Sequence, residues 1–153
     1  MSVVTELFRS EENGTLSFGD YTLDTKAKKD KIEFEGDMYK VKTFKTMTKL
    51  DKNGQLIFES VPGSAVHNFA ATTDGVAFEI EASEDVQVTL EVEPEQEYRV
   101  YIDNINVGNM KANLGGKLTL SVELNPGMTA MVLSLIHICS YSRLTDWHWA
   151  REF

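Results

Sequence analysis

Residues 97–124, with the sequence EYRVYIDNINVGNMKANLGGKLTLSVEL, decide the fold. Apolar and polar side chains alternate at the start of this stretch, over residues 98–103, and again over residues 117–124. Such a period of two is typical of strands that have one face in a core. Between the two strands, residues 104–108 and 113–116 are rich in Asn and Gly, which tolerate positive φ. We therefore expect the chain to reverse there and a sheet to form around these turns.

The same alternation recurs along most of the chain. Residues 3–8 suit an edge strand or a short helical start, and we favour the strand. We interpret residues 15–23 as a strand bent at Gly19, and the charged residues 24–31 as a solvated loop. Other predicted strands are residues 32–44 (two strands around a Gly-Asp break), 47–50, 55–58, 65–69, 76–81, 86–93 and 128–133. Roughly nine to eleven short strands without a long helix predict an all-β fold. We expect an antiparallel β-sandwich of jelly-roll or Ig-like type, or a related barrel.

Composition favours one domain and excludes several classes of partner. The chain has 153 residues, 42% of them hydrophobic, which suits a single core. A net charge of −9 would repel a phosphate backbone, so we expect no nucleic-acid partner. No apolar run is long enough to cross a bilayer, so we expect no membrane partner. The lone Cys139 cannot form an internal disulfide, and we expect a cytoplasmic location.

The last residues depart from this composition. Both tryptophans, the cysteine and two of the three histidines lie after Val132. Residues 133–138, LSLIHI, resemble one reading frame of the transposon end sequence that is used to prepare sequencing libraries, and every residue matches. We therefore expect a single native domain over residues 1–132 and a non-native read-through tail over residues 133–153. The alternative is a genuine final strand followed by an aromatic peptide, in which Trp147 and Trp149 would be candidates for ligand stacking.

Catalytic residues are scarce in the body of the chain. His67 is the one imidazole before the tail, and its polar neighbours in sequence are Ser60, Ser64 and Asp74. A nucleophile needs a base within hydrogen-bond reach, and Ser64 and His67 would point to opposite faces of one strand. No G-x-S-x-G motif is present. We predict no catalytic set.

The candidate metal-binding segments lack the residue spacing that a metal site needs. The segment D-K-N-G at residues 51–54 opens like a calcium loop, but Pro62 stands where the loop needs a bidentate Glu. The alternating glutamates of residues 91–95 are typical of a solvated strand face. We predict no metal ion and no cofactor.

Three side chains remain as candidate ligand contacts, namely Tyr101, Tyr39 and Arg99. Tyrosines on a sheet face can stack on sugars. Tyr98 and Tyr101 alternate out of phase, so we expect at most one of them to point outward.

Four segments resemble short proteins of anaerobic Gram-positive bacteria that are sometimes labelled endosialidase-like. They are TLSFGDYTL (15–23), YKVKTFKTMTKL (39–50), ESVPGSAVHNF (59–69) and NMKANLGGKLTLSVEL (109–124). The label implies hydrolysis of polysialic acid. A sialidase site uses an arginine cluster on a much larger propeller, whereas this chain has only Arg9 and Arg99 before the tail. We interpret the enzymatic label as a misnomer. Residues 97–108 are also similar to hairpins in accessory β-sandwich modules of carbohydrate-active enzymes.

Three functions follow from these observations. The first is a non-catalytic β-sandwich that binds a partner or forms a homo-oligomer through exposed sheet edges. The second is a carbohydrate-binding accessory module, and the third a glycosidase that acts on acidic sugars. We place them in that order because the chain lacks a catalytic set and has no tryptophan before the tail.

Overall fold

The computed structural model describes residues 3–72, 74–126 and 128–136, and these ranges form thirteen strands. The strands are β1 (Phe8–Ser10), β2 (Leu16–Phe18), β3 (Ala27–Phe34), β4 (Asp37–Thr43), β5 (Thr48–Lys52), β6 (Gln55–Val61), β7 (Ala65–Thr72), β8 (Gly75–Glu81), β9 (Val86–Glu91), β10 (Glu97–Ile102), β11 (Ile105–Lys111), β12 (Lys117–Val122) and β13 (Thr129–Ile136). No helix among the described residues has the length and apolar character needed to span a membrane.

Two antiparallel sheets pack face to face. The seven-stranded sheet has the order β1-β2-β7-β8-β13-β10-β11, and the six-stranded sheet has the order β12-β9-β6-β5-β4-β3. This arrangement confirms the predicted all-β antiparallel sandwich. It contains more strands than expected.

Alternating side chains fill the space between the sheets. The inward residues of β10 and β12 include Tyr98, Val100, Leu118 and Leu120, which are all buried. Phe58 lies at the centre of the core and packs edge-on against rings from the opposite sheet, with centroids 5.2 Å away at Phe18, 5.6 Å at Phe78 and 6.0 Å at Phe69. Each such aromatic pair adds about 0.5–1.5 kcal/mol beyond burial of its area.

Two edge strands differ from the prediction: β3 begins at Ala27 rather than at the expected Ile32, and β11 was not predicted. β3 occupies part of the charged segment 24–31, which we expected to be a loop, and β11 begins within the expected turn 104–108. Residues 28–31 and most of β11 are exposed, whereas Ile32 and Phe34 of β3 pack against the core. A segment that is covered on neither face needs no apolar alternation, so the pattern that identified the other strands was missing there.

The N-terminal prediction is wrong in its boundaries. Residues 5–7 form turns and a bend, because Leu7 has φ 71° and its N–H donates to the Val4 carbonyl at 2.9 Å. The first strand therefore begins only at Phe8. The strand expected over 15–23 ends at Phe18, where Gly19 takes φ 100°.

β13 lies inside the seven-stranded sheet, paired with β8 on one side and β10 on the other. Leu133–Ile136 continue this strand, and Ser134 is fully buried. A Cβ at Gly75 would lie 2.0 Å from the Ser134 carbonyl oxygen, so these two strands approach closely. The native-domain boundary at residue 132 stays a prediction, and residues 137–153 of the expected tail lie outside the described residues.

Candidate interaction surfaces

Tyr39, a candidate ligand contact, is a core residue. It lies on β4, is only 7% exposed, and its ring centroid is 5.5 Å from that of Phe8. Burial raises the pKa of its hydroxyl, and the nearby carboxylates of Asp37 and Glu35 raise it further. Tyr39 therefore offers no open ring face for a ligand.

Tyr101 and Arg99 lie together on the outer face of the other sheet. They are two residues apart on β10 and both are half-buried, whereas Tyr98 points inward and is buried. The expectation that at most one of Tyr98 and Tyr101 points outward is confirmed. The structure brings two of the three candidate contacts onto one face and leaves Tyr39 on the opposite sheet.

The serines near His67 belong to a buried hydroxyl network. Ser60 and Ser64 share a hydrogen bond of 2.6 Å between their hydroxyl oxygens. Thr48 Oγ1 accepts from the Ser64 N–H and donates to the Ser64 carbonyl, both at 3.0 Å, and shares a 2.8 Å bond with Thr43 Oγ1. These bonds join hydroxyl and backbone groups and tie loops to strands.

Carboxylates in the described part of the chain are dispersed. Within residues 3–72, 74–126 and 128–136, no group of three or more His, Cys, Asp or Glu side chains is arranged to hold a metal ion. The glutamates of residues 91–95 are half-buried or exposed strand and loop residues.

Edge strand β11 carries apolar side chains into solvent. Ile105 is 67% exposed and Val107 is 45% exposed. In the register, Val100 faces Gly108 and Tyr101 faces Asn106, so Val107 is the extra residue of a bulge. Of the seven exposed large apolar residues in the described part, these two alone lie on an edge strand.

Met131 lies beside the turn of the β10–β11 hairpin, on the outer face of β13, next to the inward Val132. It is exposed, its N–H donates to Asp103 Oδ1 at 2.9 Å, and its carbonyl accepts from the Asp103 N–H at 2.8 Å. These bonds hold the hairpin turn against β13. We call Ile105 and Val107 the hairpin surface.

The other sheet edges are protected. β1 has three residues, and β3 carries three lysines and an aspartate in the run 28–31. On β12 the exposed side chains are Thr119 and Ser121, and Lys117 donates to the Leu56 carbonyl at 3.2 Å. Short length and charge are the usual protection of an edge against pairing with another chain. β11 has no charge before Lys111.

A shallow depression lies on the outer face of the six-stranded sheet. Its volume is about 240 Å³. It is lined by Lys40, Lys42, Lys49, Asp51, Gly54 and Leu56. Lys40 and Lys42 are outward residues of β4, and their position beside Lys49 depends on strand register, which the sequence did not give.

Comparison with models of protein families, with curated proteins and with solved structures finds no match. The fold and its surfaces define an all-β sandwich domain, and its function has to be argued from those surfaces.

Proposed function

We propose that this chain is a non-catalytic β-sandwich module that associates with a second copy of itself through edge strand β11. The observation that carries the proposal is the exposure of Ile105 and Val107 on an edge strand that lacks protective charge. An unpaired edge offers backbone N–H and C=O groups to another strand, and apolar side chains beside them add burial energy.

Charge supports the choice of this edge. In a chain with net charge −9, two copies repel each other across most surfaces, but β11 contains no acidic residue. If two β11 strands pair antiparallel, Lys111 of each copy lies near the hairpin turn of the other, where Asp103 is located. This geometry brings opposite charges together at both ends of the contact.

The interface is small, so the association is weak. Full burial of a Val or Ile side chain contributes about 1.5–3 kcal/mol, while association costs about 4–15 kcal/mol in lost translational and rotational freedom. We expect a dissociation constant in the micromolar to millimolar range.

Sedimentation velocity from micromolar to millimolar protein concentration tests the proposal. We expect the wild-type chain to shift from monomer to dimer, and Ile105→Lys to remain monomeric because its ammonium would be buried against the partner strand. Leu114→Lys is the control, since Leu114 is 79% exposed and lies beyond the opposite end of the hairpin. A wild-type chain that stays monomeric at millimolar concentration, or an Ile105→Lys chain that dimerises like the wild type, contradicts the proposal.

A carbohydrate-binding role is the second candidate, and the placement of Tyr101 beside Arg99 on one face favours it. It is weaker because Tyr39 and Tyr98 are both buried. Tyr101→Ala separates the two functions: it removes retention on a glycan array under the second candidate and leaves dimerisation unchanged under the first.

A further inference from the structure

Three lysines form one row across the outer face of the six-stranded sheet. Lys28 on β3 is directly opposite Lys42 on β4, and Lys42 is directly opposite Lys49 on β5. Residues that face each other in adjacent strands point to the same side of the sheet. With about 4.8 Å between neighbouring strands, the row spans about 10 Å. Lys40 lies two residues from Lys42 and extends the same face. We call these four residues the lysine face.

This arrangement opposes stability. Like charges directly opposite each other destabilise a strand pair. The charge of Lys40 lowers the pKa of Lys42, and burial and the charges of Lys26, Lys28 and Lys49 lower it further. The positive charge of Lys49 is partly balanced by Glu59, whose carboxylate lies 3.5 Å from the Lys49 ammonium. Neither Lys40 nor Lys42 forms an ion pair with any residue of the described ranges.

The lysine face is not a consequence of a basic chain. Nine of the fifteen basic residues fall within residues 26–52, while the whole chain carries a net charge of −9. Because the same range holds five acidic residues, this segment carries a net charge of +4 (9 − 5) within an acidic chain. Local departures from the rules of stable folding are expected at functional sites.

The size of the depression limits what can bind there. Its volume of about 240 Å³ is below the range of about 300–1,000 Å³ that is usual for pockets that enclose drug-sized ligands. The net charge of −9 opposes a long polyanion, which would extend beyond the lysine face by more than a Debye length of about 8 Å. Lysine binds phosphate as a point charge, and several ammonium groups can contact one phosphate.

We infer that the lysine face is a binding site for a compact polyvalent oxyanion of the phosphate class, held by Lys40, Lys42 and Lys49 over the depression. The bound anion would offset the repulsion within the row. The site lies on the six-stranded sheet, away from β11, so it does not depend on the proposed self-association.

Thermal unfolding with inorganic phosphate or pyrophosphate, at constant ionic strength kept with sodium chloride, tests this site. We expect the wild-type Tm to rise by about 5 °C when the anion is at about a hundred times its dissociation constant. Pyrophosphate should act at lower concentration than phosphate because its charges can reach more of the lysines. Lys42→Gln should abolish the rise.

The matched control is Lys29→Gln. Lys29 is adjacent to Lys28 on β3 but lies opposite Val41, whose side chain points inward, so it belongs to the other face of the strand. This variant should respond to the anions like the wild type. Without anions and at low salt, Lys42→Gln should itself raise Tm by about 1–3 °C because a repulsive charge is removed.

Two results would overturn the assignment. The first is that neither anion raises the Tm of the wild type, or that the anions raise the Tm of Lys42→Gln as much as that of the wild type. The other is tighter binding of single-stranded oligonucleotides than of pyrophosphate, measured by fluorescence anisotropy, which would replace the compact anion with an extended one.

Discussion

At the scale of single residues, the most unusual polar contact is that between Tyr21 and Glu81. Glu81 is 6% exposed, and its Oε2 accepts the Tyr21 hydroxyl at 2.7 Å. Its Oε1 is buried and has no hydrogen-bond partner among the described residues. Burial raises the pKa of Tyr21 to about 12, and the Glu81 and Asp20 carboxylates raise it as well. The fold therefore favours the neutral phenol.

This contact predicts a loss of stability at alkaline pH. The folded-state pKa of Tyr21 is above its ordinary value of 10. The protonated Tyr21 hydroxyl therefore stabilises the fold fully below pH 10, and this stabilisation is lost between pH 10 and 12. Tyr21→Phe should cost about 1 kcal/mol of unfolding free energy at pH 8. Its stability should then fall less steeply than that of the wild type between pH 10 and 12. Urea unfolding at a series of pH values measures both effects.

Tyr101→Phe is the control for this measurement, because the Tyr101 hydroxyl forms no hydrogen bond with the described residues. Its stability should follow the wild-type pH profile throughout. Parallel profiles for Tyr21→Phe and the wild type would show that the Tyr21 proton does not stabilise the fold.

Single residues also show how far the sequence could be interpreted. The opposite phases of Tyr98 and Tyr101 were visible in the alternation, and the structure confirms them. Tyr39 shares its phase with Val41, which predicts an inward position, so its choice as a ligand contact gave too much weight to its amphipathic side chain. The alternation alone therefore predicts that Tyr39 is buried.

At the scale of elements, the sequence predicted the strands that have one face in the core and missed β11 and the first half of β3, whose residues are mostly exposed. Period-two hydrophobicity arises from one-sided burial, and even the edge strand β12 shows it because its alternate residues are buried. Both proposed surfaces depend on these missed strands, since β11 carries the hairpin surface and β3 contributes Lys28. Predicting the lysine row would also have required the register between the strands, which turn geometry and packing set together.

β13 gives a prediction at this scale. Leu133–Ile136 pair with β8 and β10 inside the sheet, so a chain that ends at Val132 leaves both neighbours with unpaired backbone groups. We expect it to lose about 3 kcal/mol or more of unfolding free energy relative to a chain that ends at Ile136. Urea unfolding followed by circular dichroism compares the two chains. Equal stability would show that residues 133–136 are dispensable for the sheet, whatever sequence follows Val132 in the natural gene.

At the scale of the whole molecule, charge and apolar surface are separated. The lysine face lies on the outer side of the six-stranded sheet, and the hairpin surface lies at one edge of the seven-stranded sheet. The remaining surface carries most of the negative charge that gives the chain its net −9. Two such molecules repel each other at long range and can meet at edge strand β11, which carries no acidic residue.

Salt should therefore strengthen self-association. Raising sodium chloride from low concentration to about 0.5 M shortens the Debye length from tens of ångströms to a few, which removes the repulsion between two copies, while an apolar contact is not weakened. We expect the dimer dissociation constant of the wild-type chain to fall several-fold, measured by sedimentation velocity at fixed protein concentration. Ile105→Lys should remain monomeric throughout, and phosphate binding at the lysine face should weaken over the same range. If self-association instead weakens as salt rises, attraction between opposite charges dominates the contact. If Lys42→Gln then also weakens the dimer while Ile105→Lys does not, the contact joins the lysine face of one copy to acidic surface of another, and β11 is not the interface.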